Sequence, residues 1–182
     1  MRVRAAAAGV IPLVLPGLLI AGCGGGHSEE EAVVSETALI PASRNPDEAE
    51  VTRLAYEFME ALSARDTERL DEILAPHARL FSIREGEEGA DYRVRTREEF
   101  LEGLAEGGPE FMERIWEPVV ELRGRIGMVW APYDFHVNGE LTHCGIDVLA
   151  FLKMEGGWKV TSITYNMERD DCPVSPLGNP EG

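Results

Sequence analysis

The stretch VWAPYDFHVNGELTHCGIDVLAFLKMEGGWKVTSITYN (Val129–Asn166) carries two hairpin signals in series. Asn138-Gly139 is the dipeptide that best fits a tight two-residue turn, because both central positions of that turn need positive φ. It separates two β-rich runs, Ile126–Val137 and Leu141–Met154. The second signal, Glu155-Gly156-Gly157, separates Leu141–Met154 from a third run, Trp158–Met167. Three long strands joined this tightly form an antiparallel sheet. Upstream, Phe111–Leu122 reads as a further long strand, with Pro118 marking an edge or a bulge and Gly124 in the turn that follows.

Before residue 110 the period changes. Asn45 is an N-cap, Pro46 suits the first helical position, and Asp47 and Glu48 favour the positive end of a helix. Val51, Leu54, Ala55, Phe58, Met59 and Leu62 then recur at helical spacing along one apolar stripe. Asp66 caps a short second helix through Leu70, Ile73 and Leu74, which Pro76 ends. The runs ARLFSI and YRVR read as a short hairpin across the charged turn REGEEGAD. Thr96 and Glu99 form a capping box that opens a third helix, closed by Gly107, Gly108 and Pro109. Helices and strands are segregated along the chain, so the class is α+β, with a curved sheet wrapped around three N-terminal helices.

Turn positions predict register. With Val137 opposite Glu140, Asp134 faces His143, Tyr133 faces Cys144 and Trp130 faces Asp147. With Met154 opposite Trp158, Asp147 faces Tyr165 and Cys144 faces Glu168. Alternation then splits the strand Leu141–Met154 into an apolar face, led by Cys144, Ile146 and Val148, and a face carrying His143, Asp147, Leu149 and Phe151. Register gathers Trp130, Tyr133, Asp134, His143, Asp147, Phe151 and Tyr165 as candidates for a semi-apolar pocket. A buried Asp147 would serve as general base with Tyr165 or His143 assisting, while Trp130, Asp134, Tyr133 and Phe151 would contact a ligand. The bland alternative is a satisfied polar cluster that holds sheet register, with Asp134 and His143 as an exposed salt bridge near the hairpin tip. His136, His143 and Asp134 have no metal-site spacing, and His77 reads as a loop residue, so no metal or cofactor is expected. Arg93, Arg95 and Arg97 form a basic patch that either pairs with Glu85, Glu87 and Glu88 or greets an anionic ligand.

The segment ALSARDTERLDEILAPHARLFSI resembles the helical opening of the nuclear-transport-factor-2-like, or SnoaL-like, superfamily. Val129–Asn166 is similar to its last three strands, including the GGWKV hairpin. The resemblance implies a cone-shaped sheet with a pocket at its open end. It implies no single function, because the superfamily hosts isomerases, dehydratases, ligand binders and interaction modules on one fold.

At the N-terminus, Arg2 and Arg4 precede the apolar run Ala5–Ile20, in which Pro12 and Pro16 argue against a membrane-spanning helix. Ile20-Ala21-Gly22-Cys23 closely resembles a bacterial lipobox, with Ile where Leu is usual. That resemblance implies cleavage after residue 22, a lipid on Cys23, and an acidic flexible tether over 23–44 ahead of a domain over 45–172 and an irregular tail over 173–182. The location implied is the cell envelope, facing the periplasm or the outside, and Gly24 is compatible with the outer membrane in a host that has two. With one cysteine lipidated, Cys144 and Cys172 remain as an even pair for a structural disulfide in an oxidising compartment. A redox-active pair would ordinarily carry a CxxC motif, which is missing.

Of 182 residues, 33 are acidic and 17 basic, a net charge of -16. Such a surface repels phosphate backbones, so nucleic acid is not an expected partner. Three readings remain: a tethered domain binding a small organic molecule, a cofactor-free isomerase or dehydratase using Asp147, and a protein-interaction or homodimerisation module whose apolar strand face is covered by a second copy.

Overall fold

The computed structural model describes residues 45–84 and 89–180. The expected signal segment, Cys23, the tether, and the partners Glu85, Glu87 and Glu88 lie outside the described residues. Helix α1 spans Pro46–Ala64, and the Asn45 side chain accepts from the Asp47 N–H at 3.0 Å. Its apolar stripe buries Val51, Leu54, Ala55, Phe58, Met59 and Leu62. Asp66 caps α2, Thr67–Ile73. Strand β1, Leu74–Arg84, begins directly after α2, so Pro76 does not end the helix but lies within the strand. The pairing of β1 is irregular between Leu74 and Arg79, where a residue lacking an N–H is tolerated. His77 therefore sits exposed on a strand rather than in a loop. Strand β2 spans Asp91–Thr96, and both arms of the Thr96–Glu99 capping box are made at the start of α3, Arg97–Ala105.

The expected long strand Phe111–Leu122 is two strands: β3, Phe111–Ile115, and β4, Val119–Arg123. Both pair with the same edge of β5, Ile126–Val137, lying end to end along it. The break falls opposite Pro132. The Pro132 carbonyl accepts from the Trp116 N–H at 3.3 Å, so the donor that proline lacks would have pointed at this gap. Glu117, at φ 45°, turns the chain through the break. Strands β6, Glu140–Met154, and β7, Gly157–Met167, complete a seven-stranded sheet in the order β2-β1-β7-β6-β5-β3, with β4 also on β5. The β1–β7 pair is parallel and all other pairs are antiparallel. Helices α1 and α3 pack on the concave face, and the core is built from Phe58, Leu62, Phe100, Val129, Leu149 and Phe151 with their neighbours.

Two bulges decide which side chains point inward. After Val137↔Glu140 and His136↔Leu141, the β5–β6 pairing shifts by one residue at Thr142, giving Phe135↔His143, Asp134↔Cys144 and Ala131↔Asp147. The register expected from the Asn-Gly turn alone is therefore wrong beyond the tip. At the second hairpin Met154 pairs with Gly157 rather than Trp158, and an extra residue at Thr161 moves the register back. Asp147 thus meets Tyr165 as expected, because two departures from the simple count cancel.

Gly145 belongs to the same constraint. A Cβ at this position would lie 2.2 Å from the Asn166 carbonyl oxygen and 2.9 Å from the Tyr133 ring. Its absence lets the Tyr133 hydroxyl cross β6 and donate to the Asn166 carbonyl at 2.7 Å.

Cys144 and Cys172 form a disulfide with Cα atoms 5.8 Å apart, within the normal range for such a bridge. It holds the tail against the convex face of the sheet, where Arg114 donates to the Gly178 carbonyl at 2.8 Å. The cross-link spans 28 residues. Replacing both cysteines by serine is expected to cost about 3.5 kcal/mol in the chain-entropy description. Denaturant unfolding of the wild type with and without reductant checks this, since reduction should reproduce the double variant.

Candidate functional site

Inside the cone is a cavity of about 230 Å³. Helices α1 and α3 supply Phe58, Leu62, Phe100 and Leu104, and the sheet supplies Phe111 and Phe135. Phe58 stacks on Phe100 with centroids 6.2 Å apart, and Phe111 stacks on Phe135 at 5.2 Å. The walls are therefore aromatic hydrocarbon. Against them stand five polar side chains: Arg95, Glu113, His143, Asp147 and Tyr165.

Asp147 lies at the centre of β6 and is 0% exposed. Neither of its carboxyl oxygens receives a hydrogen bond from a donor among the described residues. Its polar neighbour is the Glu113 carboxyl, projecting from β3 into the same cavity. Burial, and then the charge of Glu113, push the Asp147 carboxyl well above the usual carboxylate range. Burial likewise raises Glu113 to about 7, against a hydrogen bond with Asp147 and the positive charge of Arg95, which pull it down. Two acids on one cavity wall, Asp147 fully buried and Glu113 half-buried, do not both ionise cheaply near pH ~7.

The remaining polar groups frame this pair. Arg95 donates to the Tyr165 hydroxyl at 3.0 Å and lies over the Phe100 ring, 5.3 Å from its centroid. His143 stacks on Phe135 at 4.7 Å and meets the edge of Tyr133 at 5.8 Å. Burial, with Arg169 and Arg84 nearby, lowers its imidazole to about 4, so it is neutral near pH 7.

The structure brings three expected site residues, Asp147, Tyr165 and His143, to one cavity. Tyr133 and Phe151 are buried on the concave side but belong to the core rather than the cavity wall. Trp130 and Asp134 are corrections. Because β5 is shifted by the bulge, both point to the convex face. Trp130 pairs with Val148 and is 46% exposed. Asp134 is held by Arg114 through two bonds of 2.9 and 2.6 Å, with His136 at 3.4 Å, instead of facing His143. That Arg114 guanidinium and a Ser175 hydrogen bond overcome the effect of burial and keep the Asp134 carboxyl below its ordinary range. The three arginines do not act together: Arg93 meets Asp91 at 3.2 Å, Arg97 pairs with Asp71, and Arg95 turns to the cavity. Among the described residues no cluster of three His, Cys, Asp or Glu side chains is placed to hold a metal ion.

The family model described as "Putative lumazine-binding" matches residues 46–166. The chain belongs to this family. Its fold is nuclear-transport-factor-2-like, as solved structures show. One such protein with a cystatin-like fold, from Novosphingobium aromaticivorans, has TM-score 0.56 at 11% identity, over 72% of this chain and 87% of that one. A protein from Streptomyces avermitilis described as a putative dehydratase has TM-score 0.55 at 18% identity, over 67% and 96%. A protein of unknown function from Nostoc punctiforme has TM-score 0.54 at 14% identity, over 72% and 95%. Identities this low carry the fold alone. No curated protein matches the sequence significantly.

In this member of the family, Glu113 is the site residue that sequence reasoning missed. The signal was available in FMERI: Phe111, Glu113 and Ile115 share one strand face, and a carboxylate between two apolar residues on a buried face is an exception that asks for a role.

The carboxyl pair sets the sign of the domain's pH response. Folded Glu113 and Asp147 keep protons that the unfolded chain releases near pH ~4. Stability therefore rises as pH falls through the neutral region. Between about pH 8 and about pH 6.5, Glu113 contributes at most about 1 kcal/mol of that gain, and Asp147 adds to it. Below about pH 6.5 the effect of His143 opposes it, because the unfolded imidazole takes up a proton that the folded one accepts only near 4. Denaturant midpoints should rise as pH falls from about 8 to about 6.5 and go on rising below that, with His143 cancelling the contribution of one of the two acids, and Glu113→Gln should reduce the slope.

Proposed function

We propose that this chain is an envelope-tethered binding domain for a small organic molecule, held in the cone with its polar end at the Glu113–Asp147 pair. The observation that carries the reading is Asp147: a fully buried side chain lining a cavity, with both oxygens lacking a donor. A site kept only for stability would pair that carboxyl. At about 230 Å³ the cavity lies below the ~300–1,000 Å³ usual for drug-sized ligands, which favours a body of one or two rings. The family description names lumazine, a flat bicyclic heterocycle, and supports a ligand of that size class.

Native mass spectrometry of the purified chain tests this. A retained mass of one or two rings is expected on the wild type. It should be lost from Leu104→Trp, which fills the cavity from α3. A wild type without retained mass that also fails to take up lumazine at millimolar concentration rejects the reading. The same spectrum reads the assembly state: Val119, Ile126, Trp130 and Leu152 expose apolar surface on the convex face, and a second copy of the chain is the occupant proposed for it.

The raised carboxyl pair also favours a second reading, a cofactor-free isomerase or dehydratase. There the roles differ from those expected from sequence. Asp147, holding the proton, is the acid, and Glu113, poised near neutrality, is the base. Conversion rather than retention of the bound molecule distinguishes it.

The tether belongs to the same proposal. The lipobox-like Ile20–Cys23 and the pairing of the other two cysteines support attachment through Cys23 at the outer side of a membrane. No helix among the described residues is long and apolar enough to cross one. Cells fed an alkyne-labelled fatty acid should label the wild type and not Cys23→Ser; equal labelling of both would end this part of the proposal.

A further inference from the structure

We propose that the cone takes an organic cation, a protonated amine on a small apolar body, whose ammonium group donates to the carboxyls of Glu113 and Asp147. The inference rests on the cavity being a binding site and names its ligand class.

Both carboxyls line the cavity, and Asp147, fully buried, has no donor among the described residues. An ammonium group offers three donors and a full charge, so it serves both carboxyls where a neutral hydroxyl serves one. The walls suit the same guest: Phe58, Phe100, Phe111 and Phe135 line the cavity and offer apolar surface to its hydrocarbon body. An ammonium beside the Glu113 carboxylate is compensated inside the cavity, whereas an anionic ligand would face the acids uncompensated. Arg95 is already engaged with Tyr165 and Phe100, so it does not compete for the space between the acids. The chain's net charge of -16 raises the local concentration of cations around the mouth.

Binding then exchanges a proton for the ligand, which gives it a pH signature. The groups facing Glu113 are Asp147 and His143 from β6, Tyr165 from β7, Arg95 from β2 and Tyr133 from β5, with Asp134 and Arg114 behind it on the convex side. From α1 and α3 only hydrocarbon side chains line the cavity. His143 titrates near 4, and burial raises the Tyr133 hydroxyl, so neither changes charge between pH 6 and 8. Glu113, at about 7, does.

The test titrates the purified full-length chain with benzylamine, with the isosteric neutral benzyl alcohol, and with lumazine, by calorimetry at pH 6 and pH 8. Benzylamine is expected to bind at least about tenfold more tightly than benzyl alcohol at pH 8. Its affinity should rise about tenfold from pH 6 to pH 8 as Glu113 gives up its proton. Glu113→Gln should remove both effects, and because the pH profile is read on the wild type, the test does not depend on that variant folding. Benzyl alcohol or lumazine binding as tightly as benzylamine, or benzylamine binding better at pH 6, overturns the cation assignment and leaves a pocket for neutral molecules. No binding by any of the three overturns the pocket reading as well.

Discussion

A fully buried carboxyl group in the middle of a sheet, with no donor among the described residues, is the constraint around which this domain is organised. Removing Asp147 from solvent costs several kcal/mol unless it stays protonated. The fold sets a second acid, Glu113 on the short edge strand β3, against the same cavity, and its charge joins burial in pushing the Asp147 carboxyl up. Most of what surrounds the pair follows from that arrangement. Gly145, two residues before Asp147, leaves room for the Tyr133 ring, and the hydroxyl of that ring fixes the end of β7 through the Asn166 carbonyl. The break between β3 and β4 lets the piece of chain carrying Glu113 follow the curve of β5 independently of the piece beyond Pro118.

Element identity was largely legible in the sequence because it depends on local chemistry. The Asn45 cap, the Thr96–Glu99 box and the Asn138-Gly139 turn each carry their instruction within a few residues, and each is realised. What the sequence hides is register, because a bulge is a single-residue event with no strong local signature. The bulge at Thr142 moved Asp134 and Trp130 out of the expected site. The one at Thr161 restored the Asp147–Tyr165 pair that a naive count had also produced. Pro76 misled in the other direction. It reads as a helix stop, yet the helix had already given way to strand at Leu74.

The acid pair was only half legible for a related reason. Asp147 stands out because it interrupts an apolar strand at the centre of a long hairpin. Glu113 does not, because Phe111–Leu122 reads in the sequence as one long edge strand, in which a charged residue is ordinary. Only the two-strand geometry, with β3 packed under α1, turns its side chain inward. Sequence alternation identifies faces; tertiary curvature decides which face is a cavity.

Residues 113 and 114 are consecutive and point to opposite sides of the wall. On one side Glu113 reaches the acid pair. On the other, Arg114 is clamped by Asp134 and by the Gly178 carbonyl of a tail that the Cys144–Cys172 bridge ties down. The clamp outside therefore fixes the backbone from which the carboxylate inside projects. An enzyme that trims the last residues, or a reductant that unties them, would loosen that backbone and reach the interior chemistry while touching nothing but the outer skin of the cone.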